Sequence, residues 1–379
     1  MGFKGAWVRP HPGPFVWNTI EPTPGRYEWS NVDSQIRSWQ RQRVAILATI
    51  WPFAGWDQQT CHAGQPQATG TVFRDLPNRL YAPCNQQAYT IWLKALVDRY
   101  NGDGVNDMPG LQYPIRHWEV ANEPELQGPT QSGMTFFQEG PDVYLKLLHL
   151  SYSAIKAADP NAVVLPAGQA GMLQNHTSYW APVLSGARGS FDLGNIHSIG
   201  GSEVFYGPEY RSWLDQFGFT RLPFWITEAL AIKFAPPGQP PMSDDRQAQS
   251  IVTGYATDFA NGADVIFNIG AGGGGQSGGS SVAAESAFNL MATIMGDFAT
   301  ARAISPTAVQ FTMRDGSTVY ALWNGARLPS SVTGTVTITT YRGATSQSDA
   351  AAVTATTPVL VQTGTTGAAP VGSGPTTRP

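Results

Sequence analysis

The most informative segment of the sequence is His117-Trp118-Glu119-Val120-Ala121-Asn122-Glu123-Pro124-Glu125. A run of strand character leads directly into Asn-Glu-Pro, so a carboxylate stands where a strand ends and a loop begins. Phe224-Trp225-Ile226-Thr227-Glu228 has the same form. In parallel α/β folds, functional side chains collect at the carboxyl ends of the strands. The two segments therefore predict such a fold, with Glu123 and Glu228 at its functional end.

Strand-like runs alternate with amphipathic helical runs from the start of the chain to about residue 300, which is typical of a parallel α/β fold. Several of these runs are nearly all apolar, as expected for strands buried on both faces. The strand candidates are Ala6–Arg9, Val44–Ile50, His117–Ala121, Ala162–Ala167, Leu193–Ser198, Pro223–Thr227 and Asp264–Ile269. A TIM-type (β/α)8 barrel has eight strands, so we expect its first βα unit to be missing or replaced.

Helix signals lie between these strands. Ser30 begins an amphipathic run, and apolar residues recur at helical spacing over 143–158, where Asp159-Pro160 ends the run. Ser243 stands before two aspartates. Its hydroxyl can accept a hydrogen bond from the first turn, so it predicts a helix N-terminus.

The texture of the chain changes after Pro306. Short runs separated by turn signals such as Asp315-Gly316 predict strands at Val309–Met313, Val319–Trp323 and Val336–Thr340. The sequence thus predicts a (β/α)-barrel domain over 1–304 and a small β-sandwich-like module over 305–363. The tail over 364–379 is too poor in apolar residues to order itself.

Composition argues against several classes of partner. Of the 379 residues only 13% are charged, the net charge is −4 and Lys and Arg form no run, which disfavours nucleic acid and anionic membranes. No apolar stretch approaches the ~20 residues of a membrane-spanning helix. The start of the chain lacks the apolar core of a signal peptide. The 12 Trp residues favour carbohydrate, because sugar rings stack on aromatic faces.

The two cysteines, Cys61 and Cys84, lie in one loop-like stretch rich in Gly, Pro and Gln. Two buried free thiols are one interpretation. A disulfide that closes a long loop is the other, slightly favoured because both flanks look exposed. A disulfide implies an oxidising compartment, so we expect a secreted or extracytoplasmic protein whose signal peptide is not present in this chain.

Paired strand-end glutamates suit one kind of acid–base chemistry. Hydrolysis of a glycosidic bond with retention needs two carboxyls about 5–5.5 Å apart, one protonated and one ionised. Glu123 and Glu228 can supply that pair at the mouth of a barrel. Glu119, inside a strand, and Glu125, beyond the proline, are less well placed.

Several motifs resemble the clan of retaining (β/α)8 glycosidases whose catalytic glutamates end strands 4 and 7, and within it the family 39 β-xylosidase-like enzymes. Asn122-Glu123-Pro124 is similar to their acid/base motif and Thr227-Glu228 to their nucleophile motif. Trp17-Asn18-Thr19-Ile20-Glu21-Pro22, followed by Gly25-Arg26-Tyr27-Glu28-Trp29, is similar to the segment after their strand 2. The resemblance covers roughly residues 5–300.

The resemblance implies a role for each matching residue. Glu123 would protonate the leaving oxygen and then activate water, and Glu228 would form the glycosyl-enzyme intermediate. Asn122 would bind the sugar 2-hydroxyl. Arg9 would keep Glu228 ionised, with a structural ion pair as the alternative. His197 would contact the nucleophile or the sugar, or else be a satisfied core histidine.

Aromatic side chains near strand ends are candidates for sugar subsites. Trp51 follows a strand, and Tyr206 lies in the loop after the sixth strand candidate. Many members of the clan have a Trp at the end of strand 8 as a floor for the sugar. Here the stretch is Phe267-Asn268-Ile269-Gly270, so the floor is Phe267 or is missing. Packing in the core is the alternative for each aromatic residue.

Two loops carry ligand-like patterns. Asn101–Asp107 resembles part of a calcium loop but lacks the full twelve-residue pattern, so a plain turn is favoured over a structural calcium site. Gly270–Gly275 follows a strand, but no βαβ unit with a downstream acid follows it, which disfavours nucleotide binding. A pair of carboxyls needs no metal or cofactor for glycoside hydrolysis.

The leading hypothesis is double-displacement hydrolysis of β-linked glycans, with an oligo- or polysaccharide as the partner. A catalytically impaired carbohydrate-binding barrel is the alternative, and the expected lack of a first strand motivates it. The sequence leaves open the sugar, the linkage, exo or endo action and the oligomeric state.

Overall fold

The chain is built from alternating strands and helices, followed by an antiparallel sheet. The computed structural model describes residues 2–3, 6–69, 73–128, 133–200, 205–231, 242–269 and 280–363. The strands are β1 (Gly2–Phe3), β2 (Trp7–Val8), β3 (Ala45–Ile50), β4 (His117–Val120), β5 (Val163–Pro166), β6 (Gly194–Gly200), β7 (Phe224–Ala231), β8 (Ala263–Asn268), β9 (Phe298–Ser305), β10 (Ala308–Met313), β11 (Thr318–Leu322), β12 (Thr335–Thr340), β13 (Thr345–Asp349) and β14 (Val359–Thr363). The α-helices are α1 (Trp17–Ile20), α2 (Ser30–Arg41), α3 (Gly55–Cys61), α4 (Gln86–Tyr100), α5 (Pro141–Ala158), α6 (Gln174–Gly186), α7 (Gly207–Gln216), α8 (Asp244–Ala260) and α9 (Val282–Met295).

Two compact units divide the chain. The N-terminal unit comprises Ala6–His197 and Leu214–Leu222. The C-terminal unit comprises the described parts of 1–5, 198–213 and 223–378. The boundary between them falls within β6 and within α7.

A parallel sheet organises the N-terminal unit. β2 pairs with β3, β3 with β4 and β4 with β5, all in parallel. A parallel bridge between Gln169 and Ile196 joins the segment after β5 to β6. β3 is buried from Ile46 to Ile50, because helices cover both faces of a parallel sheet. Each predicted strand of this unit is present.

Helix α5 fixes the carboxyl end of β4. It spans Pro141–Ala158, which confirms the predicted run, and proline is well suited to a first helical position. The buried Tyr144 hydroxyl donates to Val120 O at 3.0 Å and accepts from Ala167 N at 2.7 Å. One side chain thus ties the last residue of β4 to the residue after β5.

The C-terminal unit contains a second group of paired strands. β7 and β8 are parallel, as predicted. β1 was not predicted; it lies antiparallel to β8, with Gly2 opposite Phe267 and Phe3 opposite Ile266. Two residues are too short for a sequence pattern to show. The loss or replacement of a first βα unit stays a prediction.

An antiparallel sheet of six strands follows, in the order β13-β12-β14-β11-β10-β9. It contains the three strands that the sequence predicted after residue 306, and β9, β13 and β14 in addition. Phe259 of α8 packs on Phe298, with ring centroids 4.9 Å apart, and Phe298 packs on Phe311 at 5.3 Å. Ser243 caps α8 by accepting from Arg246 N, as predicted.

The division at residue 304/305 stays a prediction, and the tail over 364–379 lies outside the described residues. Across the described helices, none has the length and apolar character needed to cross a membrane.

Candidate active site

Glu123 lies in a strained loop at the end of β4. Ala121 and Glu123 have φ values of 66° and 36°, in the left-handed region that non-glycine residues rarely adopt. The loop is anchored by Ala121 N, which donates to Ile50 O at 2.9 Å, and by Leu126 N, which donates to Glu123 O at 3.0 Å. Such strain persists only where the surroundings enforce it, and it is concentrated at functional sites. The backbone therefore supports a functional role for Glu123.

The Glu123 carboxylate is bonded to His197. His197 Nδ1 lies 2.6 Å from Glu123 Oε1, and the two side chains are 0% and 8% exposed. Gly168 leaves room for the imidazole, since a Cβ at that position would lie 2.0 Å from His197 Nε2. This bond of His197 is thus to the proposed acid/base, and its contact with the nucleophile or the sugar stays a prediction.

A buried ion pair lies beneath this loop. Arg9 Nε donates to Glu119 Oε2 at 2.7 Å, and the two side chains are 3% and 0% exposed. Thr49 Oγ1 also donates to Glu119 Oε2, at 2.5 Å, and Asn195 Nδ2 donates to Oε1 at 2.6 Å. Burial alone would raise the pKa of Glu119, but the charge and hydrogen bonds of Arg9 keep it below its usual value. Glu119, which the sequence analysis set aside, is therefore the anionic centre of a network from four strand segments.

This network orients Asn122. A second donor group of Arg9, Nη2, donates to Asn122 Oδ1 at 2.6 Å. The contact of Arg9 with Glu228 that the resemblance implied stays a prediction. Asn122 Nδ2 is buried and has no hydrogen-bond partner among the described residues. Because a buried donor without a partner is costly, an acceptor from outside the chain would fit this position.

Glu125 is a second unusual acid beside Glu123. It is buried, and burial raises its pKa to about 8, with a further rise from the nearby charge of Glu123. Ala170 N donates to its Oε1 at 2.6 Å. A carboxyl group with this pKa is largely protonated at neutral pH. Glu125 therefore ties the loop after β5 to the loop after β4 without adding a full negative charge.

Glu228 lies in the C-terminal unit, on β7. The sequence predicted a strand that ends at this residue, but β7 continues to Ala231. The pairing with β8 shifts between Ile226 and Ala229, which is the signature of a β-bulge. Bulges redirect side chains and are common beside active sites. The half-buried Glu228 thus lies at the irregular point of the strand.

The aromatic candidates differ in their surroundings. Trp51 is fully buried, donates from Nε1 to Pro12 O at 2.6 Å and packs against Phe73 and Phe136. Phe267 is buried against Trp225. Both side chains are thus packed in the core, as the alternative interpretation expected, and their contact with a sugar stays a prediction.

Tyr206 is the more accessible of the aromatic candidates. It is half-buried, and its backbone N–H donates to Ser198 Oγ at 2.9 Å. Burial and the nearby Glu209 raise the pKa of its phenol. It therefore stays the aromatic candidate with exposed surface.

Cys61 and Cys84 form a disulfide, with Cα atoms 5.9 Å apart. The Asn101–Asp107 loop uses its carboxylates internally. The Asp107 side chain accepts from Gly102 N and Gly104 N at 3.0 and 2.7 Å. These contacts favour the plain turn, and calcium binding stays a prediction. The stretch 270–275 lies outside the described residues.

Comparison with known proteins extends the picture of the fold. No protein-family model and no curated protein sequence matches the chain. A glucosidase from Croceicoccus marinus is similar, with a TM-score of 0.60 and 15% identity over 94% of this chain and 89% of that one. A family 39 glycoside hydrolase from Bacteroides cellulosilyticus WH2 is similar with a TM-score of 0.60 and 13% identity, over 94% of this chain and 74% of that one. A family 39 β-xylosidase from Caulobacter crescentus is similar with a TM-score of 0.57 and 15% identity, over 94% of this chain and 88% of that one.

The fold of the chain is similar to that of these glycoside hydrolases. The structural neighbours are mainly family 39 β-xylosidases and glucosidases, which agrees with the sequence resemblance. They are TIM-barrel enzymes. At sequence identities this low, the similarity extends to the fold and not to the chemistry of the site.

Sequence reasoning missed Thr49, Asn195, Gly168 and the role of Glu119. A polar residue in an otherwise apolar strand run, such as Thr49 within β3, was the available signal, because buried polar groups need partners. The identity of those partners depends on strand register, which one sequence does not reveal.

Proposed function

We propose that the chain is a retaining β-glycoside hydrolase on a (β/α)8 barrel, with Glu123 as acid/base and Glu228 as nucleophile. The observation that carries the proposal is the loop after β4. There, a strained backbone holds Glu123 against His197 and places the Asn122 amide beside it with an unused donor. A purely structural loop would not need this combination.

The chemistry follows from the two carboxyls. Glu228 would attack the anomeric carbon while Glu123 gives its proton to the leaving oxygen, so the bond to the leaving group breaks as the glycosyl–enzyme bond forms. Glu123 would then take a proton from water, whose oxygen attacks the anomeric carbon and releases Glu228 as a carboxylate. Two inversions at one carbon give net retention.

Asn122 and His197 would support these steps. Asn122 Nδ2 would donate to the sugar 2-hydroxyl, and such a contact strengthens in the transition state. His197, 2.6 Å from Glu123, would hold that carboxyl in one orientation through its changes of protonation. No step requires a metal or cofactor.

The substrate class is a β-linked glycan. The neighbours include a glucosidase and a β-xylosidase, so β-glucosides and β-xylosides are the first sugars to test. The Cys61–Cys84 disulfide supports an extracytoplasmic location, because disulfides persist mainly in oxidising compartments.

A screen of aryl β-glycosides tests the proposal. The panel comprises the xyloside, glucoside, galactoside and arabinoside, each with the wild type, Glu228→Ala and the exposed control Glu28→Ala. We expect turnover of one sugar by the wild type and the control, its loss in Glu228→Ala, and partial recovery with azide as an external nucleophile. Folded wild-type protein that turns over none of the panel or the corresponding polysaccharides would favour a carbohydrate-binding barrel without catalysis. Equal turnover by Glu228→Ala would exclude Glu228 as nucleophile.

A further inference from the structure

A cavity of about 480 Å³ lies in the N-terminal unit, in the loops that follow β2 and β3. Its walls come from α1, from α3 and from the loop that the Cys61–Cys84 disulfide closes. Glu123, Asn122 and His197 are not among its lining residues. The cavity therefore shares no lining residue with the site described above, and its volume lies in the range of small-molecule sites.

Part of the lining is a fixed frame. Asn18 accepts from Gly55 N at 2.7 Å and donates to Asp75 O at 3.3 Å. The Gln58 amide bonds both backbone groups of Tyr81, at 3.0 and 3.2 Å. These bonds hold α1, α3 and the disulfide loop in one arrangement before any ligand binds, which lowers the entropic cost of binding.

Trp56 and Arg79 complete the frame. Trp56 Nε1 donates to Glu21 O at 2.8 Å, so the polar edge of the indole is already satisfied and the apolar ring is what it offers to a ligand. Arg79 donates to Gln65 O at 2.9 Å and to Ala63 O at 2.8 Å. The guanidinium thus donates its hydrogen bonds to backbone carbonyls of the loop.

The rest of the lining is free to bind. The side chains of Gln59, Gln67 and Asn78 are exposed, and none of these three side chains makes a hydrogen bond with a residue that the structure describes. An amide presents both donors and an acceptor, as a sugar hydroxyl group requires. The described residues that line the cavity include no carboxylate, so they offer no anionic partner for a cationic ligand. A nucleotide would need more positive charge than one committed arginine, and an apolar peptide would need more apolar wall.

We propose that this cavity is a second carbohydrate-binding site, which takes a neutral oligosaccharide or a segment of a polysaccharide chain. One sugar ring stacks on Trp56, and its neighbours bond the amides of Gln59, Gln67 and Asn78. The site retains polymeric substrate independently of the cleavage of a glycosidic bond. It goes beyond the proposed function, because binding here does not require Glu123 or Glu228.

Affinity electrophoresis of the full chain tests the site, with soluble xylan and mixed-linkage β-glucan as separate probes. The proteins are the wild type, Glu228→Ala, Trp56→Ala and the triple variant Gln59→Ala/Gln67→Ala/Asn78→Ala. Gln347→Ala, an exposed amide on β13, is the matched control. We expect retardation by one glycan. Binding should be about tenfold weaker in Trp56→Ala, since loss of one aromatic contact is worth about a factor of ten. It should weaken by about as much in the triple variant, which removes the amide hydrogen bonds to the sugar hydroxyls. Binding in Glu228→Ala and Gln347→Ala should match the wild type.

Aryl-glycoside turnover separates this site from the catalytic proposal. Trp56→Ala and the triple variant should keep the wild-type rate on the small substrate within about twofold. Trp56-dependent retention without aryl-glycoside turnover would support the site and contradict the proposed hydrolysis. Retention that is unchanged in both Trp56→Ala and the triple variant, or absent for both glycans in the wild type, would overturn the site. Because the triple variant changes only exposed side chains, misfolding of Trp56→Ala would not prevent the decision.

Discussion

Replacement of Glu119 by glutamine should be among the most destabilising single changes in the N-terminal unit. The change leaves the Arg9 guanidinium buried opposite a neutral amide. The two side chains are 3% and 0% exposed, and removal of one partner from a buried pair costs about 3–5 kcal/mol of unfolding free energy. Thr49 and Asn195 also donate hydrogen bonds to the carboxylate, at 2.5 and 2.6 Å. In glutamine one of the two oxygens is replaced by an NH2 group, which cannot accept, so at least one of these donors would lose its acceptor.

Equilibrium urea unfolding, followed by Trp fluorescence, measures this loss. The matched control is Asp297→Asn, which breaks the ion pair of Arg314 and Asp297, whose side chains are 62% and 79% exposed. Exposed pairs contribute about 0–1 kcal/mol, so the control should stay near the wild type. A cost for Glu119→Gln no larger than that for Asp297→Asn would refute the buried-network argument.

The same pair has a predicted dependence on pH. The folded pKa of Glu119 lies below its unfolded value of 4.5, so the stabilisation is present in full above that value and is lost as pH falls through the folded pKa. The difference between wild type and Glu119→Gln should therefore shrink in acid. A difference that is constant from pH 7 down to acid unfolding would contradict this assignment.

Three further outcomes are expected. Glu125 has a folded pKa of about 8, so the folded state keeps a proton that the unfolded state releases. As pH rises from about 4.5 to 8, the unfolding free energy of the wild type should fall by up to about 1.4 kcal/mol per pH unit relative to that of Glu125→Gln. Urea unfolding measures both free energies, and a difference between them that stays constant over this range would exclude the raised pKa of Glu125. Gly168→Ala places a Cβ 2.0 Å from His197 Nε2 and should lower aryl-glycoside kcat at least about tenfold, whereas Gly64→Ala, with nothing within 4 Å, should not; equal rates would contradict the role of Gly168. Reduction of the disulfide, whose cysteines are 23 positions apart, should cost about 3 kcal/mol and lower the Tm while aryl-glycoside turnover at low temperature persists; an unchanged Tm in reductant would show that the loop is held without it.

Much of the fold could be predicted because a parallel sheet leaves a strong trace in sequence. Strands buried on both faces are short apolar runs and are therefore easy to recognise in a sequence. All seven predicted runs contain strands in the structure. The predicted run Val44–Ile50 differs from the observed strand Ala45–Ile50 by one residue. The bulge near Glu228 was not predictable, because it exists only in the pairing of β7 with β8. β1, two residues long, leaves no periodicity to detect.

The candidate site was predictable only in part. Asn-Glu-Pro at a strand end indicated Glu123 because its position is local in sequence. Two contacts of Arg9 were not local: Glu119 and Asn122 lie 110 and 113 positions away, and strand register decides which side chains come within reach of the guanidinium. Trp51 was a candidate for a sugar subsite, yet it lies in an aromatic cluster, since burial of a large apolar ring usually decides where it packs.

The stereochemistry of the first-formed product shows whether Glu228 acts as a nucleophile. The aryl β-glycoside that the wild type hydrolyses fastest is followed by ¹H NMR at a high enzyme concentration, so that the first-formed anomer is recorded before mutarotation. We expect the β-anomer to appear first and the α-anomer to form only by mutarotation, because two carboxyls acting through a glycosyl-enzyme intermediate invert the centre twice. Appearance of the α-anomer first would mean a single displacement by water, and Glu228 would not be a nucleophile.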